Sequence, residues 1–146
     1  MSISAVRSYF KNRITDEVSS AVEHKDAFNI ENMHVTARDK MFHIIYQNDS
    51  NIETHGDRIT DSISVTITML FKGYRDTQST FDSTSNTAHN IKRRASKISN
   101  YTNGIKRVVC DSISIEPSDE SNDNILLATM NYSVRRDFNT ISATEK

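Results

Sequence analysis

The sequence contains few of the residues from which many binding and catalytic sites are built. Its single cysteine, Cys110, excludes an internal disulfide and a cysteine-based zinc cluster. Its three glycines are far apart and none belongs to a glycine-rich phosphate-binding pattern, so nucleotide binding by such a loop is not predicted. Cys110 lies among apolar residues of a predicted strand, which favours a small buried side chain over a nucleophile.

An excess of one charge and long apolar runs are missing as well. The chain has 18 basic and 19 acidic residues and a formal net charge of −1, so it has no global field to attract nucleic acid or an anionic membrane. Its apolar stretches are far shorter than the ~20 residues of a membrane helix. The N-terminal segment has no apolar signal core, so we expect a protein made inside the cell and not secreted by the usual route.

The five histidines form no metal-binding pattern. None pair four residues apart, and His24, Asp26 and His34 could converge on a metal only through an irregular segment. The composition allows a Ser–His–Asp triad, but no nucleophile elbow supports one. The sequence therefore predicts no catalytic residue, no cofactor and no metal site, and a protein that is not an enzyme.

The length and the apolar periodicity predict one α+β domain. A chain of 146 residues fits a single domain, here 1–146 with a loose tail from about 139, and its apolar content of 36% indicates a thin core. Helical spacing and strand alternation predict the order α-β-β-α-β-β, a mostly antiparallel sheet with two helices packed on one face. The predicted elements are helices over 3–23 and 80–99, and strands over 41–47, 59–72, 105–115 and 125–138, with a turn at 48–51.

The strand over 59–72 gives the clearest signal in the chain. Apolar residues alternate with Thr and Ser over 14 residues, and such a strand reaches roughly 45 Å, longer than most. We therefore predict a long projecting β-hairpin that contacts a neighbouring subunit, since an exposed strand needs a partner or a cover. The residues assigned to this subunit-interface arm are Ile63, Val65, Thr66, Ile67, Thr68 and Met69.

Two charged segments are candidates for a partner surface. The basic end of the second helix carries Lys92, Arg93, Arg94 and Lys97, which either compensate the helix dipole on a solvated face or bind phosphate or an acidic partner. The loop over 116–123 is acidic, and it is either a solvated hairpin tip or a negative surface that faces a partner or a channel. Its charged residues are Glu116, Asp119, Glu120 and Asp123.

The element order resembles the tail-terminator family of long-tailed bacteriophages. The likeness is carried by the first helix, a hairpin of strands 41–47 and 59–72, the helix over 80–99, and a closing strand that ends in the run from Tyr132 to Phe138. The resemblance implies a hexameric ring that caps the tail tube, stops its polymerisation and joins the tail to the head connector. It also implies that DNA passes through the ring without sequence-specific binding, and that the protein belongs to the virion and assembles in the host cytoplasm.

Three alternatives stay open. The chain could be another neck or head-closure protein, or a small nucleic-acid-binding module that uses the basic end of the second helix. It could also be a small-molecule enzyme whose site is assembled from loops. A basic overall surface would favour the nucleic-acid module, and a glycine-rich or His/Asp constellation would favour the enzyme; the sequence has neither.

Overall fold

The fold is an α+β arrangement of one sheet and two helices, as predicted. The computed structural model describes residues 3–23, 40–56, 58–72, 77–102, 104–117 and 125–139. Its elements are α1 (Ile3–Glu17), β1 (Val22–Glu23), β2 (Met41–His55), β3 (Arg58–Lys72), α2 (Thr77–Ser96), a 3-10 turn (Ile98–Asn100), β4 (Ile105–Pro117) and β5 (Ile125–Asn139). Neither described helix is long and apolar enough to cross a membrane.

The described strands form a mixed sheet in the order β1-β2-β3-β5-β4. All neighbours are antiparallel except β1 and β2, which pair in parallel. The two-residue β1 was not predicted, so the order of strands and α-helices is α-β-β-β-α-β-β. Glu23 of β1 lies between Arg7 Nε (3.5 Å) and Lys11 Nζ (3.7 Å) of α1, and its side chain is only 6% exposed. These ion pairs fix the short strand against the helix that precedes it.

The core lies between the sheet and both helices. Because side chains alternate along a strand, every second residue of β3 and β5 points to the helical layer. There α1 contributes Val6, Phe10 and Ile14, and α2 contributes Ala88, Ile91 and Ala95. The ring of Phe10 lies 5.0 Å from the ring of Tyr132 at the centre of this layer. One apolar cluster therefore holds the helices on the same face of the sheet.

β3 is the central strand and does not project as an arm. It pairs with β5 along its full length, from Arg58 opposite Asn139 to Lys72 opposite Ile125. On its other side it pairs with β2. The predicted projecting hairpin is not confirmed, because the backbone of the long strand is occupied by its own sheet on both sides.

Two predicted boundaries are wrong. The first helix ends at Glu17 instead of residue 23, and Val22, which the predicted helix over 3–23 included, lies in β1 and is 57% exposed. The apolar residues Val6, Phe10, Ile14, Val18 and Val22 are spaced by four, and this spacing drifts around a helix of 3.6 residues per turn, so it cannot keep all five on one face. The predicted turn at 48–51 lies inside β2, where the register with β3 shifts twice, and the chain reverses at Gly56 with φ 65°. Glycine takes this left-handed conformation without a steric cost.

Alkaline pH is expected to destabilise the fold through Tyr9. This side chain is 1% exposed and donates a hydrogen bond to the carbonyl of Ala95 (2.6 Å). Burial raises the pKa of Tyr9 to about 12, while the Arg13 guanidinium partly opposes this shift. The unfolded value is about 10, so the stabilisation is fully present below about pH 10 and is lost as the pH rises through about 12. Urea unfolding from about pH 9 to about pH 12 should show the free energy falling.

The variant Tyr9→Phe tests this assignment. It cannot ionise, so its free energy of unfolding should fall less over the same pH range. Some fall should remain, because burial also raises the pKa of Tyr132. An unchanged pH dependence in Tyr9→Phe would show that Tyr9 is not responsible.

Candidate interaction surfaces

The structure divides the predicted interface arm between two faces of the sheet. Ile63, Val65, Ile67 and Met69 are 0–1% exposed and lie in the core under the helices. Their assignment to a subunit interface is corrected, because a side chain with no exposed surface has none to offer another copy. The alternation that suggested an interface comes from burial under the chain's own helices. Thr66 and Thr68 lie on the opposite face.

The face opposite the helices is lined by short polar side chains joined across strands. Thr66 Oγ1 donates a hydrogen bond to Asn131 Oδ1 (2.8 Å), and Asn131 Nδ2 donates one to Ser112 Oγ (2.9 Å). Ser133 Oγ donates to Asp111 Oδ2 at 2.6 Å. These bonds link β3, β5 and β4, so they fix the side chains in a rigid polar surface. We call this surface, defined by Ser64, Thr66, Asn131 and Ser112, the polar face.

One end of the same sheet face is closed. Leu70 is 1% exposed, and the neighbouring β2 residues Met41 and His43 are 7% and 6% exposed. Thr68 is paired with His43, so it adjoins this closed end. The accessible part of the face therefore lies around Ser64 and Thr66.

Both edges of the described sheet carry irregularities. β4 pairs only with β5 among the described strands, and its register shifts between Ile105 and Arg107 and again between Cys110 and Ser112. On the other side β1 pairs with only the first two residues of β2, and β2 has two register shifts of its own against β3. Bulges of this kind prevent regular pairing of an edge strand with another chain. A partner is therefore more readily received by a face or a cleft of this sheet than by continuous strand addition.

The basic end of α2 is split between two sides of the helix. Arg94 Nε lies 2.9 Å from Glu17 Oε1 of α1, so its charge is compensated. Arg93 donates a hydrogen bond to Asn90, and Lys97 is exposed near this side. Lys92 points instead toward β4. Among the described residues, no carboxylate oxygen lies within 4.0 Å of the amino groups of Lys92 or Lys97.

A cleft separates α2 and the 3-10 turn from the edge strand β4. It measures about 580 Å³ and has no carboxylate among its lining residues. Tyr101 is one of its lining residues, and the phenol oxygen accepts a hydrogen bond from the backbone N–H of Val108 (2.9 Å). Cys110 also lines it, and burial raises the pKa of this thiol, although Lys92 partly opposes the shift. We call this cleft the basic cleft; its lining includes Lys92, Ser96, Ile98, Tyr101, Lys106 and Arg107.

The acidic candidates are only partly described. Glu116 lies near the end of β4 and is exposed. The other three, Asp119, Glu120 and Asp123, lie outside the described residues. Glu116 is therefore the only one of the four whose position can be related to the basic cleft, and it lies at the far end of the same strand.

A buried ion pair is the feature that sequence reasoning missed. Arg136 of β5 donates two hydrogen bonds to Asp61 of β3, from Nε to Oδ1 at 2.9 Å and from Nη2 to Oδ2 at 2.6 Å. The side chains are 5% and 3% exposed. Both residues continue the apolar alternation of their strands, which is the signal that could have placed them in the core. Each carboxylate oxygen accepts a hydrogen bond from the guanidinium, so the pair is bound as a structural unit.

Within the described residues, no group of three or more His, Cys, Asp or Glu side chains is placed to hold a metal ion. No protein-family model matches the chain, and a comparison with curated proteins found no match. The features of the described structure that could contact another molecule are the polar face, the basic cleft and the sheet edges.

Proposed function

We propose that the protein is a structural assembly protein that acts like the tail terminator of a long-tailed phage. The observation that carries this proposal is the polar face, a rigid sheet surface without a helical cover in the described structure. Hydrogen bonds between its own side chains already order it. Less side-chain freedom is therefore lost when another surface docks there. Such a surface suits a contact that contains water molecules and recurs between identical rigid subunits.

The proposed assembly is a closed ring of six copies in the virion. One side of the ring docks on the tail tube protein and stops its polymerisation, and the other receives the head connector or head-closure protein. DNA passes through the opening and is not read by sequence. The mechanism is geometric, because identical subunits that meet head to tail form a ring when their rotation closes. Another neck protein would use the same kind of contact with different neighbours.

A nucleic-acid-binding module is the second candidate. It is favoured by Lys92 and Lys97, whose amino groups have no carboxylate partner in the described structure. Against it, Glu17 compensates Arg94 and the formal net charge is −1. A nucleic-acid module would bind duplex DNA with an affinity that falls steeply as salt increases. It would do so without changing the length of tail tubes.

Negative charge on the polar face is expected to prevent ring formation without unfolding the chain. In the variant Ser64→Asp with Thr66→Asp, two carboxylates per copy would have to be desolvated in the interface, which costs free energy unless they are paired. Light scattering should show the mass falling from that of the ring to the 16.6 kDa of one chain. Circular dichroism should stay unchanged.

The matched control is Ser8→Asp with Asn12→Asp, which adds the same charge on the exposed surface of α1. It should keep the mass of the parent. Tail tubes grown with the parent protein should be capped, and electron microscopy should show that capped tubes stop growing. A parent protein that is monomeric at high concentration and leaves tubes uncapped would contradict the proposal.

A further inference from the structure

Charge is segregated along the second half of the sequence. Residues 83–110 contain basic residues and no Asp or Glu, whereas residues 111–134 contain acidic residues and no Lys or Arg. The basic set is Lys92, Arg93, Arg94, Lys97, Lys106 and Arg107, and the acidic set is Asp111, Glu116, Asp119, Glu120 and Asp123. A chain with a net charge of −1 therefore carries a basic and an acidic region with strong local fields.

Apart from Asp111, which accepts a hydrogen bond from Ser133, the described charged residues of the edge strand β4 lie with the basic ones at its beginning and Glu116 near its end. Lys106 and Arg107 lie at its beginning, where the register shift beside Ile105 directs them to the basic cleft, and Lys92 completes the positive lining from α2. Lys106 Nζ is 3.7 Å from Asp137 Oδ2, whereas Arg107 has no carboxylate within 4.0 Å among the described residues. Glu116 lies near the other end of β4, and in the sequence the acidic residues Asp119, Glu120 and Asp123 follow before β5 begins at Ile125.

The acidic connection cannot reach the cleft of its own chain. Pro117 lies seven positions along β4 from Cys110, the last residue of this strand that lines the cleft, and at ~3.4 Å per residue this distance is about 24 Å. The connection over 118–124 has both ends held, because Pro117 is paired with Leu126. Seven residues that leave and return extend at most about 14 Å. The acidic connection of the same chain is therefore too far away to fill the cleft.

We propose that the basic cleft receives the acidic β4–β5 connection of a second copy of this chain. Carboxylates of one copy bind Lys92, Lys106 and Arg107 of the next, while the exposed Ile98 (78%) provides an apolar contact at the rim. The contact is head to tail, so each copy uses its cleft for one neighbour and its connection for the other. This inference depends on the proposed ring and adds, beside the polar face, a second contact between its subunits.

Reversing the sign of the charge on the basic cleft, on the acidic connection, or on both in a mixture tests the contact. The cleft-reversed variant is Lys92→Glu with Arg107→Glu, and the connection-reversed variant is Asp119→Lys with Glu120→Lys. Each alone brings like charges together, so light scattering should show the 16.6 kDa monomer in place of the ring, a drop of about sixfold for six copies. An equal mixture should recover the mass of the parent, because alternating copies then present opposite charges at every contact.

The matched control is Arg93→Glu with Lys97→Glu, which changes the charge equally on the side of α2 away from the basic cleft. It should keep the parent mass. The contact is overturned if the cleft-reversed variant also keeps the parent mass. It is also overturned if both variants are folded and their mixture stays monomeric. Neither result contradicts the ring itself. If the parent is monomeric, the ring itself fails. Loss of duplex binding by the cleft-reversed variant with no change in mass would assign the cleft to nucleic acid and overturn the contact.

Discussion

Replacing Arg136 with Met alone is expected to lower the free energy of unfolding by about 3–5 kcal/mol, because it leaves the Asp61 carboxylate buried without its partner. The carboxylate is 3% exposed and accepts two hydrogen bonds from Arg136. Because the site is closed to solvent, water cannot replace the two N–H groups that Arg136 donates. Urea denaturation followed by circular dichroism would measure the difference.

The double variant Asp61→Leu with Arg136→Met should recover most of this loss. Removing both charges leaves no unpaired group, and apolar pairs of similar volume are often neutral or stabilising by about 1–4 kcal/mol in place of a buried ion pair. A double-mutant cycle would then show a large coupling between the two positions. If Asp61 and Arg136 acted independently, their effects would instead add.

An exposed ion pair on the same two strands provides the control. Arg58 of β3 lies 2.5 Å from Asp137 of β5; the Arg58 side chain is 62% exposed, and Asp137, at 14%, also lies 3.7 Å from Lys106 Nζ. Arg58→Met should cost less than about 1 kcal/mol, because water and salt screen exposed pairs. If Arg136→Met costs no more than Arg58→Met, then burial does not determine the strength of the Asp61–Arg136 pair.

The buried pair also specifies the register of the two longest paired strands. A shift of one residue between β3 and β5 would turn all their side chains to the opposite face. A shift of two would keep the faces but place Arg136 opposite Ile59 or Ile63 instead of Asp61. After the second shift most apolar residues of β5 would still lie opposite apolar residues of β3. The ion pair makes that shift costly.

The alternation of apolar and polar residues predicted the strands of this sheet well, but it did not predict what covers them. β3 and β5 lie within one residue of their predicted bounds, because a period of two over a dozen residues has no other common cause. The same pattern could not tell whether helices of the same chain or a second subunit cover the apolar side of β3. The partner of a buried face depends on contacts distant in sequence, such as Phe10 with Tyr132.

The basic cleft was predictable in part. Lys92, Arg93, Arg94 and Lys97 read as one cluster in the sequence, yet the structure divides them. On a helix, neighbours on one face are three or four residues apart. Lys92 thus aligns with Ser96 toward β4, and Arg93 aligns with Lys97 on another side. That division follows from helical spacing, whereas the contribution of Lys106 and Arg107 requires knowing that β4 lies beside α2.

Replacing Phe10 with Ala is expected to lower the free energy of unfolding by about 3–5 kcal/mol, the usual cost of removing a fully buried aromatic ring. Phe10 is 0% exposed and lies between the rings of Tyr9 (5.4 Å) and Tyr132 (5.0 Å). A helix of 15 residues is marginal by itself in water, so α1 depends on this contact with the sheet. Chemical denaturation would measure the loss.

Phe81→Ala is the matched comparison, since both phenylalanines lie in helices of this fold. Phe81 is 41% exposed in α2, so much of its ring already contacts water in the folded chain. Its removal leaves no closed cavity, and we expect a cost of about 1 kcal/mol or less. Equal losses for the two variants would mean that the packing of Phe10 against Tyr132 does not hold α1 on the sheet. A loss confined to Phe10→Ala would identify that contact as the one on which the helical layer depends.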